Sequence, residues 1–181
     1  MPAPEDIDTH APAGGRPVIE DPEQLPDWTF TPVGVVHSPY RNHFQTPRQP
    51  GTGPDAADAW IILRRGMQNT LKDLRGFDYA WIVFVFNYSR GARQQVIPPR
   101  DSIARGVFAT RSPHRPNPIG LSCVRVLNTR GTRILIRDHD LLHGTPVLDI
   151  KPYLPYADAH PGARAGYVDQ LPPDAPDHRW D

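Results

Sequence analysis

Tyr79-Ala80-Trp81-Ile82-Val83-Phe84-Val85-Phe86 is the run on which the fold turns. Every residue in it is apolar, aromatic or β-branched, the types that pack well on a pleated surface. Eight residues make a full strand but a short helix. Unbroken apolarity, rather than alternation, is expected of a central strand covered on both faces, or of one at a subunit interface.

Shorter runs of similar character lie on either side: Thr31–Val36, Trp60–Leu63, Gly106–Ala109, Leu121–Leu127, Arg133–Ile136 and Pro146–Ile150. Ile134 and Ile136 alternate with Arg133, Leu135 and Arg137, and Asn128–Gly131 reads as a hairpin turn. Met67–Leu74 alone has a helical pattern, about two turns, stopped by Gly76. The 23 prolines argue against long helices, because an interior proline removes a donor and clashes with the preceding turn. The expectation is an all-β chain: a small barrel or sandwich of about seven strands with one short helix. Its predicted limits are residues 28–157, with a disordered, acidic, proline-rich tail at 1–27 and an extended tail at 158–181.

The formal charge is zero, 20 basic against 20 acidic residues, but the charges are segregated. Residues 1–29 hold one basic and seven acidic residues, residues 157–181 two and five, and residues 30–156 the remaining 17 and eight. Between Arg90 and Arg137 there are ten arginines and one acid, Asp101. Such a body is either a solvated arginine-rich surface or the footprint of an anionic partner such as RNA or a nucleotide. No stretch approaches the ~18–20 apolar residues of a membrane span. Met1–Asp27 lacks the apolar centre of a secretory signal, so a soluble cytoplasmic protein is expected. A single cysteine, Cys123, excludes an intrachain disulfide. His139 and His143 lack the glutamate and the helix of a zinc motif, so no metal is expected. There is also no GxGxxG, no phosphate-binding GxxxxGK and no GxSxG elbow.

Four loop-like segments carry the polar chemistry: 37–51, 98–100, 109–120 and 140–153. In Ala109–Gly120, prolines 113, 116 and 118 separate Arg111, Arg115 and Asn117. Each proline fixes its own φ and pushes its predecessor towards extended geometry. The loop is therefore stiff: a rigid connector, or a platform that presents arginines at little entropic cost. Asp149 and Lys151, two apart on a strand, share a face, as a surface ion pair or as site residues. Asp140 and Asp149 are candidates for a general base or a ribose acceptor.

Gly34–Tyr40, Pro47–Gly51, Phe84–Asn87, Pro98–Arg100, Gly106–Pro113, Arg115–Gly120, Gly144–Pro146 and Asp149–Tyr153 together resemble the TsaA-like family, also called YaeB-like or TrmO. The resemblance covers about residues 30–157, with the motifs in the family's order. It implies a non-Rossmann, β-barrel methyltransferase that uses S-adenosylmethionine. It also implies a homodimer with the cofactor near the subunit interface, acting on N6 of threonylcarbamoyladenosine beside the tRNA anticodon. Carried onto this chain, the cofactor pocket comprises Gln49, Pro50, Gly51, Phe86, Asn87, Arg111, Leu121 and the turn His139-Asp140-Leu141-Leu142. Asn87 stands where enterobacterial members carry histidine; it can hydrogen-bond but not titrate. On this reading Asp149, Lys151 and Asp140 are the catalytic candidates, Asp149 first as acceptor of the N6 proton. Tyr40, Arg48, Arg100, Arg115, Asn117 and Lys151 face the RNA, with a cation for the threonyl carboxylate among Lys151, Arg115 and Arg111.

Overall fold

A computed structural model describes residues 19–52 and 57–172. The chain divides into two units, Met1–Phe30 and Thr31–Asp181. In the first, Pro22–Gln24 forms a 3-10 turn capped by Asp21, whose carboxylate accepts from the Glu23 amide at 3.0 Å. Residues 1–18 of the expected N-terminal tail and 173–181 of the C-terminal one lie outside the described residues.

The second unit contains β1 (Gly34–His37), β2 (Ala59–Leu63), β3 (Tyr79–Val85), β4 (Gln95–Val96), β5 (Arg105–Gly106), β6 (Ile119–Arg130), β7 (Arg133–Arg137), β8 (Pro146–Pro152) and the single turn α1 (Pro155–Asp158). Six strands close into a barrel in the order β1-β2-β7-β6-β3-β8, and β4–β5 is a separate two-stranded ribbon. The all-β barrel expected from the sequence is therefore the observed one. All barrel pairings are antiparallel. It follows that the connections 38–58, 86–118 and 138–145 leave from the same end.

The strands alternate as a one-sided core requires. Val36, Ala59, Ile61, Ala80, Ile82, Val124, Ile134, Ile136 and Val147 are all within 1 % of complete burial. In β3 the inner row is Ala80, Ile82 and Phe84, while Trp81, Val83 and Val85 on the outer row stay half-buried. The unbroken apolarity of this strand thus has two sources, a core row and an apolar outer row. Trp81 packs on Tyr153 and donates its indole N–H to Asp158 of α1 at 3.1 Å.

Three local expectations change. Met67–Leu74 is not a continuous helix but two 3-10 turns, Gln68–Leu71 and Leu74–Gly76, separated by Asp73 at φ 67°. Its apolar spacing still serves the core: Leu71 is buried, and Met67 and Leu74 pack against the barrel contents. Gly106–Ala109 is not a strand beyond Gly106. Val107 turns inward as the start of a 3-10 turn, its amide bonded to the Gln94 carbonyl. The β6–β7 turn falls at Gly131-Thr132 rather than Asn128–Gly131, with Gly131 supplying φ 60°.

Gly120 faces Phe84 across β3–β6. A Cβ at Gly120 would lie 2.3 Å from the Phe84 ring, so the ring fills the space that the glycine leaves. Gly120→Ala must displace a core aromatic, at a cost of about 1–3 kcal/mol. Urea denaturation should show that loss with an unchanged m-value. A variant as stable as the parent would mean that the ring relocates freely.

Candidate functional site

The end of the barrel from which connections 38–58, 86–118 and 138–145 leave is built around the β7–β8 turn. Asp138 opens the turn at φ 58° and Gly144 closes it at φ 82°. Between them, the Gly144 amide donates to Val36 at 2.8 Å and the His143 amide to the Tyr40 carbonyl at 2.8 Å. The turn is thereby stitched to both β1 and the loop after it. His139 and Leu141 point into the protein, each 1 % exposed. Asp140, between them, accepts a hydrogen bond from the Ser122 hydroxyl at 2.6 Å.

Ser122 is an inward residue of β6, 2 % exposed. A hydroxyl facing a hydrocarbon core needs a partner, and Asp140 provides it. Burial pushes the Asp140 carboxyl above the usual carboxylate range, against the opposing pull of the Ser122 hydroxyl and of Arg111. Arg111 comes from the proline-braced loop and donates to the Gln49 side-chain oxygen. Gln49 itself sits in a turn that includes Pro50 and Gly51, the latter at φ 72°. The Tyr40 ring lies 5.1 Å from the His139 ring. Gln49, Arg111, Asp140, His139 and Tyr40, far apart in sequence, are therefore held together from three connections, with Leu141 buried beneath.

Phe86 packs edge-on against Phe84 at 5.0 Å, and its amide bonds to the Pro118 carbonyl at 2.8 Å, pinning the arginine loop to the end of β3. Asn87 is exposed beside it, and Leu142 is half-buried on the β7–β8 turn. Arg115 reaches back to the Thr110 carbonyl at 3.3 Å and lies 5.8 Å from the exposed Phe108 ring, while Asn117 is exposed. Arg48 is exposed on the loop after β1.

The remaining predicted residues lie elsewhere. Asp149 and Lys151 project from the outer face of β8 and form an ion pair of 2.7 Å, with their side chains 50 % and 66 % exposed. Leu121 is also on the outer face; it and Asp149 flank Val83 from opposite sides. Arg100 lies after the ribbon strand β4 and donates to the Pro172 carbonyl at 2.5 Å. Its neighbour Asp101 is held below the ordinary carboxylate range by the Arg105 guanidinium at 2.7 Å.

The sequence reading missed Ser122. The alternation Gly120, Ser122, Val124 carries the signal, because it places a hydroxyl on the core face and so demands a polar partner. It also missed the orphan atoms of the turn: among the described residues, the buried His139 Nε2 and His143 Nδ1 have no hydrogen-bond partner, as is also true of Arg100 Nε. His139 Nδ1 accepts from the Leu141 amide at 3.2 Å, which leaves the proton on Nε2. No group of three or more His, Cys, Asp or Glu suited to a metal occurs among the described residues. Nor is any described helix long and apolar enough to cross a membrane.

The profile of the tRNA-methyltransferase O N-terminal domain matches residues 35–159. The chain is 40 % identical over 157 residues to the tRNA (adenine(37)-N6)-methyltransferase of Escherichia coli, an alignment covering 82 % of this chain and 67 % of that one. It is 42 % identical over 150 residues to a Pseudomonas aeruginosa protein named as a putative S-adenosylmethionine-dependent methyltransferase, covering 80 % and 65 %. The crystal structure of TrmO from Pseudomonas aeruginosa superposes with a TM-score of 0.69 at 39 % identity, covering 83 % of this chain and 67 % of that one. The chain thus spans about two thirds of the length of these bacterial relatives.

Burial lowers the His139 imidazole from 6.5 to about 4. The unfolded chain therefore takes up this proton first as pH falls. The stability linked to the neutral ring is complete above about pH 6.5 and is lost as pH drops towards 4. His139→Gln should flatten the fall in Tm between pH 7 and pH 5 relative to the parent. Asp140, shifted the other way, is common to both proteins and cancels in the comparison. Parallel Tm curves would show that His139 is not neutral in the fold.

Proposed function

The chain belongs to the tRNA-methyltransferase O N-terminal domain family, and from that membership we propose that it transfers a methyl group from S-adenosylmethionine to N6 of a tRNA adenine. The acceptor, in finer terms, is threonylcarbamoyladenosine directly 3′ of the anticodon, reached in the cytoplasm. The observation that carries this reading is the 40 % identity to a tRNA (adenine(37)-N6)-methyltransferase over 82 % of the chain.

The residues at the barrel end suit such a cofactor. Asp140 is a desolvated carboxylate able to face a positive centre or ribose hydroxyls, and Arg111 with Gln49 offers donors for a carboxylate. The unpartnered His139 Nε2 and His143 Nδ1 offer two further buried polar atoms on the same turn. Gln49, Pro50, Gly51, Phe86, Asn87, Arg111, Leu121 and His139–Leu142 are the residues that would hold it. When bound, S-adenosylmethionine supplies an electrophilic methyl on a positively charged sulfur.

The chain's own residues orient the acceptor and take its proton. N6 of the substrate is conjugated with both the purine and a carbamoyl group, so a hydrogen-bond acceptor on its proton raises its reactivity. Asp140 suits this role because its pKa is raised by burial, which makes it the stronger base. Asp149, the first choice from sequence, is held by Lys151 in solvent, a setting that favours a positioning role. Arg111, Arg115 and Lys151 are the cations available to the threonyl carboxylate, and Tyr40, Arg48, Arg100 and Asn117 extend the surface for RNA. The half-buried outer row of Trp81, Val83 and Val85, with exposed Leu121 and Ile119 beside it, supports a homodimer through this face. Leu121 would then bring the cofactor close to the interface.

The test is to incubate the protein with labelled S-adenosylmethionine and tRNA carrying or lacking the threonylcarbamoyl group, then to analyse nucleosides by mass spectrometry. Methyl gain is expected on the modified nucleoside alone. Gain on both tRNAs overturns the finer substrate, and cofactor binding without transfer to either makes the protein a sensor. Asp140→Asn should lower kcat by ~100-fold or more, whereas Asp149→Asn should stay within about threefold, since an exposed ion pair carries little energy. A reversed ranking would return the proton-accepting role to Asp149.

A further inference from the structure

The β6–β7 hairpin presents an arrangement that the barrel itself does not need. Arg130 and Arg133 stand directly opposite one another as the last pair of the hairpin. Like charges directly opposite across a sheet are destabilising. A second such pair, Arg125 and Arg137, lies further along the same two strands. There the conflict is relieved, because Arg137 is clasped by both oxygens of Asp58 at 2.6 and 3.1 Å. Among the described residues neither the Arg130 nor the Arg133 guanidinium has a hydrogen-bond or ion-pair partner, and both residues are exposed.

The two guanidiniums share the outer face with Trp60. Ile61 and Ala59 point inward and Trp60 outward; it pairs with Leu135, which follows Arg133 by two residues on that face. Trp60, Arg130, Gly131, Thr132 and Arg133 line an open concavity of about 600 Å³. That volume is within the range of small-ligand pockets, roughly 300–1,000 Å³. A flat aromatic wall beside two free guanidinium forks is the combination by which single-stranded nucleic acid is held, base on ring and phosphate on arginine.

We propose that this concavity is a second RNA-contact site, in which Arg130 and Arg133 share one backbone phosphate and Trp60 carries an unstacked base. The proposal rests on the tRNA reading above and adds a contact remote from the methyl-transfer end. Ser122 and Arg130 are eight residues apart on β6, about 26 Å at 3.3 Å per residue. About eight nucleotides of a stacked strand cover that distance. A phosphate bound between them offsets one of the two facing charges and screens the other, so the repulsion left unrelieved in the free protein becomes affinity in the complex.

The experiment measures binding of the full chain to tRNA across a salt series. Replacing both arginines, R130Q/R133Q, should raise Kd about eightfold at 0.1 M salt and reduce the slope of log Kd against log salt by about one. Its Tm should equal or exceed that of the parent, which separates a lost contact from damaged folding. R130K/R133K keeps the charge and should keep the slope. W60L should weaken binding by about fivefold or more, and W60F, which retains a stacking face, should not. With saturating tRNA, kcat should be unchanged in R130Q/R133Q while KM rises. Methyl transfer by the parent together with unchanged Kd and slope in R130Q/R133Q overturns the site and leaves the function standing. If the parent neither binds nor methylates tRNA, the function reading fails, and the site is judged on a single-stranded oligoadenylate. Binding lost in R130Q/R133Q then upholds it, and no binding, or binding unaffected by the substitutions, overturns it.

Discussion

The seam between β1 and β8 is the constraint on which the rest depends. Only Gly34 and Val35 pair across it, with Val147 and Pro146. Because Pro146 has no amide hydrogen, the seam is completed outside the register: the Val33 amide bonds to Val147 at 2.7 Å and the Val36 amide to Thr145 at 3.0 Å. Close approach is enforced on the other side too, where a Cβ on Gly34 would fall 2.7 Å from the Ile62 carbonyl oxygen. Val36 serves both ends: its amide closes the seam on Thr145, and its carbonyl accepts from Gly144 at the end of the β7–β8 turn. Barrel closure and placement of His139, Asp140 and Leu141 are one event, and a change that opens the seam loosens the site with it.

Within that frame the site is a controlled departure from an apolar core. Ser122 occupies an inward position that hydrocarbon would fill at less risk. Its hydroxyl gives Asp140 a fixed hydrogen bond at the edge of the barrel, where water is scarce enough to lift the carboxyl pKa. Arg111 opposes that lift from the proline-braced loop. The carboxyl is therefore set by two elements that meet only when the barrel is closed. His139 has the complementary arrangement: Nδ1 is used by the Leu141 amide, and the buried Nε2 proton remains available.

The sequence made the barrel legible because the strands obey a period of two and β3 is too long and too apolar for a surface element. It marked the proline-spaced Arg111–Asn117 loop as a stiff connector or an arginine platform, whereas the turn His139–Leu142 as a whole stands out only through the family resemblance. What the sequence left open shares a cause. Met67–Leu74 has helical spacing, but its side chains plug a barrel end, and Asp73 in the left-handed region lets the chain break there. Asp149 and Asp140 look alike in sequence, and only the register of β8 sends the first outward to Lys151 and leaves the second to the turn. Long-range pairing of that kind has no local signature.

The neutral formal charge is the last feature to be explained, and it follows from where each arginine is spent. Arg105 and Arg137 are matched by Asp101 and Asp58. Arg64, Arg100 and Arg115 are drawn to main-chain carbonyls, which satisfies donors without cancelling charge. Among the described residues, Arg130 and Arg133 at the tip of the hairpin are matched by neither. Twelve of the 20 acids lie in residues 1–29 and 157–181, while 17 of the 20 basic residues lie between them. A polyanion meets the local field within a Debye length of about 8–10 Å, not the sum over the chain. Neutrality overall is thus compatible with a barrel that is basic wherever its strands and loops bring unmatched guanidiniums together.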